Sequence, residues 1–139
     1  MAIAGGCLCG AVRFEIGADA PLAVRQCWCR TCQYVGAGSG TVNAVFPRDA
    51  VSISGPLIDY VSVADSGSVM HRRFCAACGT PVFTEAEPRP HIIGVRVGAL
   101  DDPELARPAM TIWTRSAPAW ACFDPALPQA EGQAPPPKT

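Results

Sequence analysis

The sequence predicts a mainly β protein, because its apolar segments are short and turn-forming residues interrupt them repeatedly. The chain of 139 residues contains 13 glycines and 14 prolines, and almost every candidate strand ends at one of them. No stretch of about eleven or more residues shows the 3.6-residue apolar periodicity of an amphipathic helix. Short strands without long helices are typical of small antiparallel sheets.

The candidate strands, taken in order, are short runs that alternate apolar and polar residues or are rich in β-branched residues. In the first of them, residues 11–16, Val12, Phe14 and Ile16 alternate with charged side chains, as expected for a half-buried strand. One helical turn is expected at residues 30–35, where a run of glycines then stops it. A second helical turn is expected at 103–106, and the remaining strands at 41–46, 51–54, 57–63, 69–74, 82–83, 91–97 and 110–114.

Length and charge indicate one domain without a nucleic-acid or membrane partner. A chain of this size can bury a single core, and we expect one domain at residues 1–130 followed by a disordered tail at 131–139. The net charge is −1 with both signs scattered, unlike the basic surface of a nucleic-acid-binding protein. No apolar run reaches the roughly 20 residues of a membrane span, and no signal peptide is visible. We therefore expect a cytoplasmic protein.

Seven of the eight cysteines fall into three tight clusters, and only Cys122 stands alone. Thiol pairs of this spacing, in a chain without an export signal, favour metal binding over disulfides. A structural zinc takes four ligands, whereas a catalytic zinc keeps three protein ligands and one open position, so seven thiols divide as four plus three. The three clusters are Cys7-Leu8-Cys9, Cys27-Trp28-Cys29-Arg30-Thr31-Cys32 and Cys75-Ala76-Ala77-Cys78.

Spacing leaves two assignments of these ligands open. In the first, a four-cysteine cluster binds one metal and links the first strand to the middle of the chain. In the second, Cys75 and Cys78 share a metal with two of the middle thiols, and Cys7 and Cys9 bind none. The first assignment defines a four-cysteine cluster of Cys7, Cys9, Cys75 and Cys78 and a three-cysteine cluster of Cys27, Cys29 and Cys32.

The three-cysteine cluster would leave one coordination position for an external ligand. Three soft donors suit zinc, and copper(I) would also accept them. Zinc deprotonates a bound thiol, but three thiolates make it a weak Lewis acid for water, so activation of a thiol fits better than hydrolysis. Three ligands hold an ion less firmly than four, and exposed thiols oxidise. We therefore expect this second zinc to be labile.

Four segments of the chain match the motifs of a known family. They are Gly5-Gly6-Cys7-Leu8-Cys9-Gly10-Ala11-Val12-Arg13-Phe14, Cys27-x-Cys29-x-x-Cys32-Gln33, Arg73-Phe74-Cys75-Ala76-Ala77-Cys78-Gly79-Thr80-Pro81-Val82-Phe83 and Ile112-Trp113-Thr114-Arg115-Ser116-Ala117-Pro118-Ala119-Trp120. Through them the chain resembles the glutathione-dependent formaldehyde-activating enzyme family over residues 3–128. That resemblance implies a β-tent fold, a structural zinc on the four-cysteine cluster and a catalytic zinc on the three-cysteine cluster. It also implies condensation of glutathione with formaldehyde to S-(hydroxymethyl)glutathione, a carbon–sulfur lyase activity in reverse.

Three functions are compatible with these motifs. The first is an enzyme in which the zinc-bound thiolate of glutathione attacks formaldehyde or another small aldehyde, with Cys27, Cys29 and Cys32 as the catalytic ligands. The second is a zinc-stabilised module that binds glutathione or a protein partner without turnover. The third is a redox sensor in which oxidation of the three-cysteine cluster releases its zinc.

Single residues near the motifs have simpler interpretations. Trp28 stands where the family often has histidine or another polar residue, and it could line the ligand pocket. Cys122 is expected to be a small buried hydrophobic residue. His71 and His91 lie in strand patterns and are expected to be packed or surface residues rather than ligands. Trp113 and Trp120 are expected in the core or over the cysteines.

Arginines are expected near the metal sites, because two zinc ions carry fewer positive charges than seven thiolates carry negative ones. Arg30 and Arg115 could also attract the carboxylates of glutathione, although a solvated side chain is the favoured interpretation of both. The arginines expected to offset the thiolate charge are Arg13, Arg25, Arg30, Arg72 and Arg73.

Overall fold

The structure is a computed structural model, and it describes residues 3–138. Within these residues, ten strands and one short α-helix are connected by turns and by single turns of 3-10 helix. The helix is α1 (Arg30–Val35). The strands are β1 (Ile3–Gly6), β2 (Arg13–Ile16), β3 (Ala23–Cys27), β4 (Thr41–Pro47), β5 (Val51–Ser54), β6 (Leu57–Val63), β7 (Val69–Cys75), β8 (Pro81–Ala86), β9 (Ile92–Arg96) and β10 (Met110–Ile112).

The strands form two sheets. A three-stranded sheet has the order β1-β2-β5, and a seven-stranded sheet has the order β10-β3-β4-β9-β8-β7-β6. Neighbouring strands are antiparallel except for β10, which runs parallel to β3. The predicted mainly β fold is confirmed, and the predicted helical turn has the predicted bounds. No helix within residues 3–138 is long and apolar enough to span a membrane.

The hydrophobic core lies between the two sheets. Phe14 of β2 and Phe83 of β8 are both fully buried and meet edge to face, with ring centroids 5.1 Å apart. This geometry aligns the positive edge of one ring with the negative face of the other. At Gly5 in β1 a Cβ atom would lie 2.2 Å from the carbonyl oxygen of Ala99, so only glycine allows this close approach.

Several boundaries differ from the sequence prediction, and two of the differences have a clear local reason. Strands β1 and β3 were not among the predicted strands, and the second predicted helical turn is a 3-10 turn at Pro103–Leu105. Residues 11 and 12 complete the turn that contains Cys7, so β2 begins only at Arg13. Strand β10 ends at Ile112 because Trp113 has a left-handed backbone with φ of 59°, which stops sheet pairing.

The C-terminal segment follows β10 across the seven-stranded sheet. The Trp113 indole Nε1–H donates to Gln133 Oε1 at 2.9 Å, and Arg25 donates to the Pro135 carbonyl oxygen at 2.6 Å. Ala134 is buried, with 4% of its surface exposed. The tail at residues 131–139 was expected to be disordered because its composition offers little to bury. The contacts of Gln133, Ala134 and Pro135 were not expected on that basis. The domain limits at 1 and 130 stay a prediction; Met1, Ala2 and Thr139 lie outside the described residues.

Candidate metal centre

The four-cysteine cluster lies where the two sheets meet. Cys7 and Cys9 follow β1 of the three-stranded sheet, Cys75 ends β7 of the seven-stranded sheet, and Cys78 lies in the turn after it. The Cys7 and Cys9 sulfurs are 3.6 Å apart, and those of Cys9 and Cys75 are 3.8 Å apart. All four sulfurs lie within 4.8 Å of one another.

These distances match a tetrahedral zinc site. Zn–S bonds of about 2.3 Å in a tetrahedron place the sulfurs about 3.8 Å apart. The donor set of four thiols is that of a closed structural site, with no position left for an external ligand. The residues therefore fit a zinc ion by spacing and by chemistry.

Local hydrogen bonds prepare these sulfurs to carry negative charge. The backbone N–H of Val12 donates to the Cys7 sulfur at 3.2 Å, and that of Cys78 donates to the Cys75 sulfur at 3.4 Å. The Thr80 hydroxyl lies 3.1 Å from the Cys78 sulfur, and its hydrogen bond lowers the pKa of Cys78 to about 5. Donors aimed at a sulfur stabilise its thiolate form, which is the form that binds metal.

The three-cysteine cluster lies where β3 of the seven-stranded sheet leads into α1. Cys27 is the last residue of β3, Cys29 caps the N-terminus of α1, and Cys32 lies in the first turn of that helix. All three are buried, and their sulfurs lie within 4.8 Å of one another. The short helix is what turns Cys32 back toward Cys27 and Cys29.

Hydrogen bonds fix the loop that carries these three thiols. The backbone N–H of Cys32 donates to the Cys29 sulfur at 3.4 Å. The Gln33 side-chain amide donates to the carbonyl oxygens of Trp28 at 2.8 Å and of Ser116 at 2.9 Å. Gln33 is itself buried, so these bonds satisfy its amide and hold the loop against the segment that follows β10.

The three sulfurs do not share charge equally without a metal. Hydrogen bonds from Cys27 and Cys29 lower the pKa of Cys32. The same contacts, together with burial, raise the pKa of Cys27. Burial and the contacts among the three thiols therefore oppose the formation of three thiolates at once. A divalent cation bound by the three sulfurs would offset that opposition.

A cavity of about 320 Å³ opens onto the three-cysteine cluster. One wall contains its three thiols, and the opposite walls contain backbone and side chains from β4, β7, β8 and β9. The C-terminal segment supplies another wall through Gln133, Ala134, Pro136 and Pro137. Four arginines line this cavity: Arg25, Arg72, Arg89 and Arg96.

Sequence reasoning identified Arg25 and Arg72 as charges near the thiols but missed Arg89 and Arg96. A signal for Arg96 was available: it is the single charge in β9, Ile92–Arg96, all five residues of which are buried. A charged residue in an otherwise apolar buried strand is uncommon and indicates a specific partner. Arg30 and Arg115, by contrast, are exposed and lie over the rings of Tyr34 and Trp113.

Trp28 does not line the cavity, so that interpretation was wrong. Only 3% of its surface is exposed, and its ring packs against Trp120 and Phe123 with centroid distances of 6.5 and 5.9 Å. Adjacent side chains in an extended segment point to opposite sides. Trp28 therefore points away from the sulfurs of Cys27 and Cys29 and anchors the loop from behind.

Cys122 is exposed, so the expectation of a buried hydrophobic residue was wrong. It lies in an irregular segment whose buried contacts are made by its neighbour Phe123. His71 bridges two carboxylates on the sheet surface, Asp59 at 2.6 Å and Glu87 at 2.8 Å, and His91 is exposed. Neither histidine lies in a cysteine cluster.

Fold and site together define a small, mainly β protein with two cysteine clusters, within residues 3–138, that could hold metal ions. The sequence model of the family described as glutathione-dependent formaldehyde-activating enzyme matches residues 2–116, which include all seven clustered cysteines. The chain belongs to this family, as its motifs predict. The structure has the small antiparallel sheets that the expected β-tent fold contains.

The chain is also similar to two known proteins. A Halomonas elongata protein, provisionally named a glutathione-dependent formaldehyde-activating enzyme, is 26% identical over 112 residues, which cover 78% of this chain and 71% of that protein. A crystal structure of a Rhodobacter sphaeroides protein superimposes with a TM-score of 0.54 at 24% identity, covering 70% of this chain and 87% of the other. The second likeness concerns the fold alone.

Proposed function

We propose that the chain binds two zinc ions and uses the second to activate a thiol. The four-cysteine cluster holds the structural ion, and Cys27, Cys29 and Cys32 hold the catalytic one. The reaction is addition of the glutathione thiolate to formaldehyde or another small aldehyde, a carbon–sulfur lyase activity in reverse. The observation that carries this proposal is that Cys27, Cys29 and Cys32 together line a cavity of about 320 Å³.

The cavity supports the binding of an anionic thiol. Glutathione carries two carboxylates, and guanidinium groups bind carboxylates through paired, charge-assisted hydrogen bonds. Arg25, Arg72 and Arg89 are partly exposed along the cavity and can reach such a guest. They orient it so that its thiol faces the three-cysteine cluster, where a bound zinc ion would supply a thiolate at neutral pH.

Enclosure supports the addition step. Hemithioacetal formation joins the guest sulfur to the aldehyde carbon and delivers a proton to the new alkoxide oxygen, without oxidation or reduction. The walls hold both reactants close together, which lowers the entropic part of the barrier. The family name and that of the Halomonas elongata relative support the choice of glutathione and formaldehyde. We place this activity in the cytoplasm and in a domain of residues 1–130.

The test is a metal count combined with a glutathione titration. The wild-type chain is expected to hold two zinc ions. When cobalt replaces zinc, glutathione is expected to change the absorption spectrum only of the cobalt ion at the three-cysteine cluster. Cys29→Ser is expected to fold, to retain one zinc and to lose formaldehyde-dependent consumption of glutathione. Cys122→Ser, which changes an exposed thiol outside both clusters, is the matched control and keeps both ions. Two zinc ions with no response to glutathione would contradict the proposal.

A further inference from the structure

Arg96 is a buried cation without a carboxylate partner. It ends β9, and 7% of its surface is exposed. Its side chain makes no ion pair with an acidic residue in the part of the chain from 3 to 138. An isolated charge is costly to bury unless an opposite charge lies near it. The structure therefore requires a counter-charge close to this guanidinium.

The hydrogen bonds of Arg96 lead toward the three-cysteine cluster. Its Nη1 donates to Asn43 Oδ1 at 2.6 Å and to Thr41 Oγ1 at 3.1 Å. Asn43 also donates to Thr41 Oγ1, at 3.0 Å. The Thr41 oxygen thus accepts two N–H groups, and Thr41 itself pairs with Cys27 of the cluster. Asn43 and Thr41 are neutral, so neither balances the charge.

Strand register fixes this arrangement. Asn43 of β4 pairs with Arg96 of β9, and Thr41 of β4 pairs with Cys27 of β3. Because alternate residues of a strand share one face, Thr41 and Asn43 point to the same side of the sheet. Arg96 is thereby held on the same side as the Cys27 sulfur rather than brought there by a flexible loop.

Arg96 and the thiols of Cys27, Cys29 and Cys32 line the same cavity. Burial lowers the pKa of Arg96, and the negative charge of a Cys32 thiolate would oppose that shift. The Nε–H of Arg96 is buried and has no hydrogen-bond partner within the described residues. Arg72, the neighbouring arginine of the same cavity, instead donates to the Ser62 hydroxyl at 2.7 Å.

We propose that Arg96 is the counter-ion of the three-cysteine metal site. A divalent ion with three thiolates has one net negative charge, and the guanidinium, which stays protonated in proteins, neutralises it inside the sheet. This inference rests on the proposed function of the cluster as a metal site, and it adds a residue outside the cysteine motifs that sets its affinity.

The experiment compares zinc affinity at each cluster by competition with a chelator and follows cobalt binding by absorbance. Arg96→Met removes the charge at similar length, and Arg107→Met makes the same change at an exposed position that does not line the cavity. Arg96→Met is expected to weaken zinc binding at the three-cysteine cluster by about 10–100-fold, the usual effect of losing a partner of a metal ligand. Its four-cysteine cluster should bind zinc as in wild type. Arg107→Met should leave both affinities unchanged.

Two further variants separate charge from folding. Arg96→Lys keeps the charge and should retain most of the affinity, whereas Arg96→Gln keeps hydrogen-bonding groups without charge and should bind like Arg96→Met. The glutamine variant carries the same expectation if the methionine variant fails to fold. If the wild-type chain binds two zinc ions and the neutral Arg96 variants keep its zinc affinity, this inference is wrong but the proposed function stands. A wild-type chain with one zinc ion overturns the proposed function and this inference together.

Discussion

The sulfurs of Cys9 and Cys75 lie 3.8 Å apart, although 66 residues separate the two cysteines in sequence. Cys9 follows the edge strand of one sheet, and Cys75 ends a strand of the other. A metal bound here closes a long loop and links the sheets directly. Its binding free energy therefore becomes part of the free energy of folding.

We expect Cys9→Ser to lose one zinc ion and to unfold more easily. Removal of one thiolate should lower the free energy of unfolding by at least about 3 kcal/mol, a part of the ~10–16 kcal/mol that zinc contributes in small zinc-dependent peptides. Metal analysis and urea unfolding measure the two effects. The control is Cys122→Ser, which should match wild type in both. Unchanged stability in Cys9→Ser would show that the four-cysteine cluster does not stabilise the fold.

We expect Phe83→Ala to destabilise the chain by about 3–5 kcal/mol, because the ring is fully buried and a cavity remains after truncation. Its contact with Phe14 joins the two sheets, so the loss should appear as a lower urea midpoint. The control is Val63→Thr, which replaces an exposed residue of β6 with one of similar shape. Its free energy of unfolding should stay within about 0.5 kcal/mol of wild type. Equal effects of the two variants would argue against the core described above.

His71 should make stability depend on pH. Hydrogen bonds to Asp59 and then Glu87 raise the pKa of His71 in the folded chain. A raised folded pKa means that protonation favours folding: the stabilisation is complete below the unfolded pKa of about 6.5 and is lost as pH rises through the folded value. The stability difference between wild type and His71→Gln should therefore shrink with rising pH.

Urea unfolding of both chains at several pH values, with equal metal content, measures that difference. Subtraction removes the pH dependence of the thiols, which the two chains share. An NMR titration of the His71 ring should show a pKa above about 6.5. A stability difference that grows with pH would contradict the assignment of these hydrogen bonds.

A chain that ends at Pro128 should expose the three-cysteine cluster. The missing segment contains Ala134, which packs against the cluster, and the groups that hydrogen-bond Arg25 and Trp113. Loss of two hydrogen bonds of about 1 kcal/mol each should accelerate removal of zinc by a chelator by about ten-fold or more. Cys122, already exposed, should react with a thiol reagent at the same rate in both chains. Equal zinc release would show that the segment does not cover the site.

The cysteine pattern predicted more of the site than of the fold around it. Spacing alone left two pairings open, and it is the approach of Cys7 to Cys75 across the two sheets that groups four sulfurs in one place. Such an approach depends on sheet packing, which local spacing does not encode. Most strands were predictable because turn-forming residues flank them. Strand β3, in contrast, shows no alternation of apolar and polar residues, and its strand conformation depends on its pairing with β4 and β10.

Residues that act through neighbours were the hardest to predict. Trp28 lies between two cysteines, yet its ring points to Trp120 and Phe123. Arg96 lies 64 positions after Cys32 in the sequence, and strand pairing places it in the lining of the same cavity. In both cases the direction of the side chain relative to the sheet decides the role, and that direction depends on long-range register.

The position of Pro136 and Pro137 at the wall of the cavity affects how the chain can be labelled. A tag fused directly after Lys138 would begin next to a residue of this cavity wall. A polyhistidine tag placed there would bring imidazoles, which bind zinc readily, within reach of the open coordination position. Metal contents measured on such a fusion would report the tag as well as the protein, and a cleavable amino-terminal tag avoids that interference.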